Sequence, residues 1–175
     1  MGYFIGFRID PEPYLELLGM IGSHAVEPEN LHVTVLHLGE LSNSLEAHIW
    51  AREAAFRYAA FEAVSGPIIS LPYVLCLEVF PREPFQRLKE FLQANAFRDL
   101  VDAYPTMRPH VTLVPTPRRS ITATPVSPYG RRNSFSRVLG KLYQPRRFDT
   151  LCVFESAGGH LAVEASYPML GEVVQ

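Results

Sequence analysis

The chain has 175 residues, of which 47% are apolar and 19% charged, and a net charge of −2. This size fits one domain that buries roughly 70% of its unfolded surface and needs no staples. No apolar run reaches the ~20 residues that span a bilayer, so no membrane association is expected. The start, Met1 to Asp10, lacks signal-peptide regions. Gly6 stands where a myristoylation motif needs Ser or Thr. Cys76 and Cys152 lie in apolar runs and read as reduced core residues. A cytoplasmic, soluble monomer is expected.

Tyr3 to Ile9 reads as a strand ended by Asp10-Pro11. Leu31 to Leu38 is a second strand, closed by Gly39. Ser42-Asn43-Ser44 offers capping chemistry, and Leu45, Ile49, Phe56 and Ala60 recur at helical spacing, predicting a helix to about Val64. Ser65-Gly66-Pro67 breaks it. Ile68 to Phe80 reads as one bent strand or two short ones. Pro84 suits a first helical turn, and Phe85, Leu88 and Leu92 give that helix its apolar face. His110 to Pro115, Phe148 to Phe154 and Leu161 to Ala165 are further strands, the last two joined by a turn at Gly158-Gly159.

Between them, Thr116 to Gln144 is rich in Pro, Ser, Arg and Gly. It reads as a long loop insertion with one short strand around Arg137 to Leu142, and loops of this length are usually functional or disordered. From Ala103 to Phe148 there is no Asp or Glu, only Arg108, Arg118, Arg119, Arg131, Arg132, Arg137, Lys141, Arg146 and Arg147. Lacking acidic partners within the segment, these cations should repel one another and hold the loop open for a phosphate-bearing partner. Arg118, Arg119, Arg131 and Arg132 are the candidate substrate-binding residues. Tyr104, Tyr129, Phe135 and Tyr143 are interleaved with them and fit either base stacking or core packing.

The chain repeats itself loosely. Leu31-His32-Val33-Thr34-Val35 and Pro109-His110-Val111-Thr112-Leu113 place the same His-x-Thr in the same β context. A strand alternates faces with period 2, so His32 and Thr34 share one face, as do His110 and Thr112, with aliphatic anchors behind. If the halves pack about a pseudo-two-fold axis, two imidazoles and two hydroxyls meet in one cleft. That set suits in-line displacement at phosphorus. A neutral imidazole takes the proton of the attacking oxygen and an imidazolium protonates the leaving oxygen. The Thr34 and Thr112 hydroxyls donate to non-bridging oxygens. No metal or other cofactor is called for. A lone strand histidine is usually structural; two matching copies point to catalysis.

These motifs resemble those of the 2H (two-histidine) phosphoesterase superfamily, in particular its RNA 2',3'-cyclic phosphodiesterase branch, also called the 2'-5' RNA ligase family. Tyr3-Phe4-Ile5-Gly6-Phe7-Arg8 is similar to the family's first strand. The resemblance implies an α+β, bilobal fold over residues 1–175, with two antiparallel β-sheets around a central groove and helices outside. It implies hydrolysis of 2',3'-cyclic phosphate ends of RNA to 2'-phosphates, with His32 as acid toward the leaving 3'-oxygen and His110 as base. The residues alone leave that order open. The alternatives with the same chemistry are 2'-5' ligation and cleavage of 2'-5' oligoadenylates or cyclic dinucleotides. A catalytically silent RNA-binding module is the alternative of another class. Pro115 departs from the family, where a basic residue often follows the second motif.

The remaining histidines read as structural. His37 is expected on the face opposite His32, His48 on a solvated helix face, and His24 and His160 in loops or turns. None has metal-ligand spacing, and there is neither a Walker-type loop nor a Ser or Cys nucleophile motif.

Overall fold

The computed structural model describes residues 2–41, 44–71, 74–95, 107–115, 132–158 and 160–171. Their strands are β1 (Gly2–Arg8), β2 (His32–Gly39), β3 (Phe61–Leu71), β4 (Val74–Phe80), β5 (His110–Pro115), β6 (Arg146–Phe148), β7 (Thr150–Ala157) and β8 (His160–Pro168). Their α-helices are α1 (Leu15–Ile21), α2 (Leu45–Arg57), α3 (Glu83–Asn95) and α4 (Arg132–Leu142).

The strands follow the order β6-β3-β4-β5-β2-β1-β7-β8, with antiparallel pairing throughout. This is two four-stranded halves, β2-β1-β7-β8 and β5-β4-β3-β6, joined between β2 and β5 at Val33↔Val111. Each half contributes one His-x-Thr strand to the junction, so the α+β, two-lobed expectation holds. One ladder pair is a narrow seam. The core beneath reinforces it: Phe7 of β1 meets Phe61 of β3, Phe85 of α3 and Phe148 of β6 edge-on, at 5.7, 5.8 and 5.3 Å between ring centroids. Such pairs each contribute about 0.5–1.5 kcal/mol beyond the area they bury.

Helix α3 forms as expected, with Phe85, Leu88 and Leu92 fully buried, each worth roughly 1.5–3 kcal/mol of transfer energy. The β7–β8 hairpin also forms where expected, with Ala157 paired to His160 and Gly158 at φ +59°, a conformation glycine adopts freely.

Three expectations fail. Helix α2 ends at Arg57, and β3 runs through Ser65-Gly66-Pro67, which forms a register shift instead of a break; Gly and Pro are tolerated in strands at such bulges. The face of α2 that packs inward is Ala47, Ala51, Ala54 and Ala55, while Leu45, Ile49 and Phe56 are exposed. Small residues let the helix lie close on β7 and β8. Arg137 to Leu142 is part of helix α4, not a strand, because Val138 and Leu142, four apart, are both buried. The short α1 and β6 carry no pattern strong enough to single out beforehand.

Four cations of the basic segment have acidic partners. Arg137 and Lys141 pair with Glu16 of α1 at 3.3 and 3.1 Å, Arg108 with Glu78 at 3.3 Å, and Arg147 with Asp149 at 3.6 Å. Acids outside the segment pair with these four cations, and the two on α4 hold Glu16's carboxyl below its ordinary pKa through their hydrogen bonds.

Candidate active site

The site begins at Val33↔Val111. Stepping one residue along this antiparallel register sets His32 across from Thr112 and Thr34 across from His110. Directly opposed side chains lie about 4.5–5.5 Å apart at Cβ. The two motifs therefore form one rectangle, with histidines at one diagonal and threonines at the other. All four are partly buried, while Val33, Val111 and Leu113 behind them are fully buried.

Both imidazoles are oriented alike. His32 Nδ1 lies 2.7 Å from the Asn30 carbonyl oxygen, and His110 Nδ1 lies 2.8 Å from that of Arg108. A carbonyl only accepts, so each Nδ1 carries the proton and donates it. Each Nε2 is left to exchange protons with a substrate. The segment leading into β2 is tied to the opposite half, Val26 N–H donating to the Leu113 carbonyl at 2.8 Å.

The environments of the two histidines differ. His32 rests on Phe4, ring centroids 4.8 Å apart, and Phe4 stacks on Phe154 at 4.7 Å. This apolar floor disfavours the imidazolium. Burial pushes the His32 pKa below its ordinary value, the hydrogen bond to Asn30 opposes the shift, and the charges of His37 and His110 add to it. Across from His110 on β4 stands Glu78, buried, hydrogen-bonded by Arg82 and paired with Arg108 at 3.3 Å.

Sequence reasoning misplaced two histidines. β1 and β2 shift register between Ile5↔Leu36 and Gly6↔Thr34, leaving Val35 as a bulge. Val35 and Leu36 both enter the core, and His37 returns to the face of His32, exposed and 5.7 Å from the Phe4 ring. The two adjacent aliphatics were the signal that alternation had slipped. His48 is anchored to β8, with Nδ1 3.1 Å from the Tyr167 hydroxyl and Nε2 3.0 Å from Glu164. His24 is exposed in a loop, and His160 opens β8. Cys76 and Cys152 are free and buried, and burial pushes the Cys76 thiol up to about 11. Arg118, Arg119 and Arg131, with Tyr104 and Tyr129, lie outside the described residues; Arg132 opens α4. No group of three or more His, Cys, Asp or Glu among the described residues is placed to hold a metal ion, and no described helix is long and apolar enough to cross a membrane.

No protein-family model matches the sequence, and no curated protein does. Solved structures do. The protein TT0787 of Thermus thermophilus aligns over 98% of this chain and 100% of its own, with a TM-score of 0.70 and 18% identity. A structure of a phosphoesterase aligns over 96% and 97%, with a TM-score of 0.68 and 16% identity. Escherichia coli LigT complexed with 3'-AMP aligns over 96% and 97%, with a TM-score of 0.70 and 17% identity. At these identities the likeness is one of architecture, and on it the chain has the 2H phosphoesterase fold.

Proposed function

We propose that this protein is a metal-independent phosphodiesterase that opens 2',3'-cyclic phosphates at RNA ends to 2'-phosphates. The observation that carries the reading is the single rectangle made by His32, Thr34, His110 and Thr112, with both Nε2 atoms free for proton transfer. LigT has been crystallised with 3'-AMP, ATP and NADP+, which supports a nucleotide ligand for the fold.

In the proposed reaction water attacks phosphorus, the P–O3' bond breaks, and O3' leaves in line. The burial that favours neutral His32 fits it for taking the water proton, and His110, facing the Glu78 side, gives its proton to O3'. This order is the reverse of what the family resemblance implies. Thr34 and Thr112 hydroxyls donate to the non-bridging oxygens, and each proton transfer is worth ~10²–10⁴-fold. Arg118, Arg119, Arg131 and Arg132 are proposed to meet the polynucleotide backbone, and the chain to act as one bilobal unit.

The test is turnover of 2',3'-cyclic nucleotides in excess chelator. His32→Ala or His110→Ala should each lower the rate at least ~10²-fold with the fold retained. A variant within a few-fold of wild type, or dependence on a divalent ion, refutes the mechanism. RNA binding with no turnover on any cyclic phosphate assigns the silent binding module instead.

A further inference from the structure

Beyond the two motifs, a cavity of about 690 Å³ lies at the end of β1, lined also by residues of β6, β7 and β8. It adjoins the site by register. Arg8, on its wall, is the cross-strand neighbour of His32. Cys152 and Ser166, on its floor, lie in the row that continues through Gly6 to Thr34. Gly6, which carries no side chain, is the residue between Thr34 and Cys152 in that row.

Its walls are cationic. Arg8 is exposed and has no ion pair among the described residues. Arg146 holds its guanidinium 4.7 Å over the Tyr14 ring, and its Nε is out of solvent with no hydrogen-bond partner. Tyr14 is itself fixed, its hydroxyl 3.0 Å from that of Ser65. The acids nearby are engaged: Asp149 pairs with Arg147, and Asp10 accepts the Glu12 N–H at 3.1 Å. Two guanidinium forks without carboxylate partners, one stacked on an aromatic ring, match a phosphate group. The volume admits that phosphate with part of its nucleoside.

We infer that this cavity is a second phosphate subsite. The inference rests on the proposed function and sharpens its substrate class. The preferred substrate is a cyclic-phosphate nucleotide carrying a further phosphate, on its 5' oxygen or in the next internucleotide linkage.

The experiment compares kcat/KM for three substrates: a 2',3'-cyclic mononucleotide with a free 5' hydroxyl, its 5'-phosphorylated form, and a dinucleotide with a cyclic end. Wild type should favour one or both phosphate-bearing substrates by at least ~10-fold, the size of a charge-assisted contact. The two arms separate a 5'-phosphate from an internucleotide one. Arg8→Gln and Arg146→Gln should each reduce that preference several-fold, and Arg146→Lys should keep part of it. Absence of preference in wild type, or a preference unmoved in Arg8→Gln, overturns the subsite. Arg8 is exposed, so its variant folds even if Arg146→Gln does not. If wild type turns over no cyclic phosphate, the function fails separately. Calorimetric titration of inorganic phosphate into the His32→Ala/His110→Ala protein then decides the subsite. Binding that Arg8→Gln weakens about tenfold upholds it, and no binding, or binding unchanged by Arg8→Gln, overturns it.

Discussion

Gly6 is the position where the fold and the proposed catalysis are tied most tightly. A Cβ built there would lie 2.3 Å from the Val33 carbonyl oxygen and 3.2 Å from the Thr34 Cα. An ordinary carbon–oxygen contact is roughly 3.3 Å, so β1 and β2 must part by about 1 Å. The obstructing atoms are backbone, so no rotamer change relieves them. Val33 is also the residue through which β2 pairs with β5, and moving it moves His32 and Thr34 relative to His110 and Thr112. Gly6→Ala should therefore destabilise the fold by about 1–3 kcal/mol, as overpacking does, and lower the melting temperature by roughly 2–4 °C for each kcal/mol. It should also lower kcat/KM by about 10²-fold, the usual cost of a ~1 Å misplacement. Thermal unfolding and turnover of a cyclic mononucleotide, at a temperature where the variant is folded, read the two effects separately. Lost stability with unchanged kcat/KM would show that the seam does not set the catalytic geometry. A melting temperature within ~1 °C of wild type would refute the packing argument itself.

Two further predictions use the asymmetry of the histidines. A nitrophenyl phosphodiester has a leaving group that departs without a proton, so His110→Ala should lose far less activity on it than on a cyclic phosphate, while His32→Ala loses as much on both; the opposite pattern would exchange acid and base. Because the folded pKa of His32 lies below its unfolded value near ~6.5, the unfolded chain binds more protons between those two values, and stability is lost as pH falls through that window. His32→Asn, whose amide still donates to the Asn30 carbonyl, should flatten unfolding free energy against pH there, and an unchanged slope would show that His32 is not the group responsible.

What the sequence made legible follows from periodicity. β5 was readable to the residue, because His110 to Leu113 alternates and the run lies between Pro109 and Pro115. α3 was readable because Phe85, Leu88 and Leu92 recur on one face. The same logic misread α2: its larger apolar residues face outward, and alanines, which carry little hydrophobic signal, make the contact. It missed α4 because prolines and arginines nearby drew attention from the four-residue spacing of Val138 and Leu142. For the candidate site, repetition singled out His32, Thr34, His110 and Thr112, and the structure pairs the two strands that carry them. His37 was not, since one bulged residue reverses every face after it. Glu78, Arg8 and Arg146 were invisible for a different reason. Each matters only through a neighbour far away in sequence, and a single sequence does not report cross-strand register.

The antiparallel pairing of Val33 with Val111 gives the two motifs equivalent places at the junction, and the proposed hydrolysis requires them to be chemical opposites. Backbone hydrogen bonding does not break the symmetry, because each Nδ1 donates to a carbonyl two residues before it. The flanking strands break it. Beside β2, strand β1 supplies Arg8 opposite His32 and Gly6 opposite Thr34; beside β5, strand β4 supplies Glu78 opposite His110 and Cys76 opposite Thr112. The apolar ring floor beside His32, and the burial it brings, disfavour the charged form of that imidazole. Beside His110, Glu78 is shared with Arg82 and Arg108. The strands that carry the proposed catalytic pair set its geometry, and their neighbours give the two histidines different surroundings.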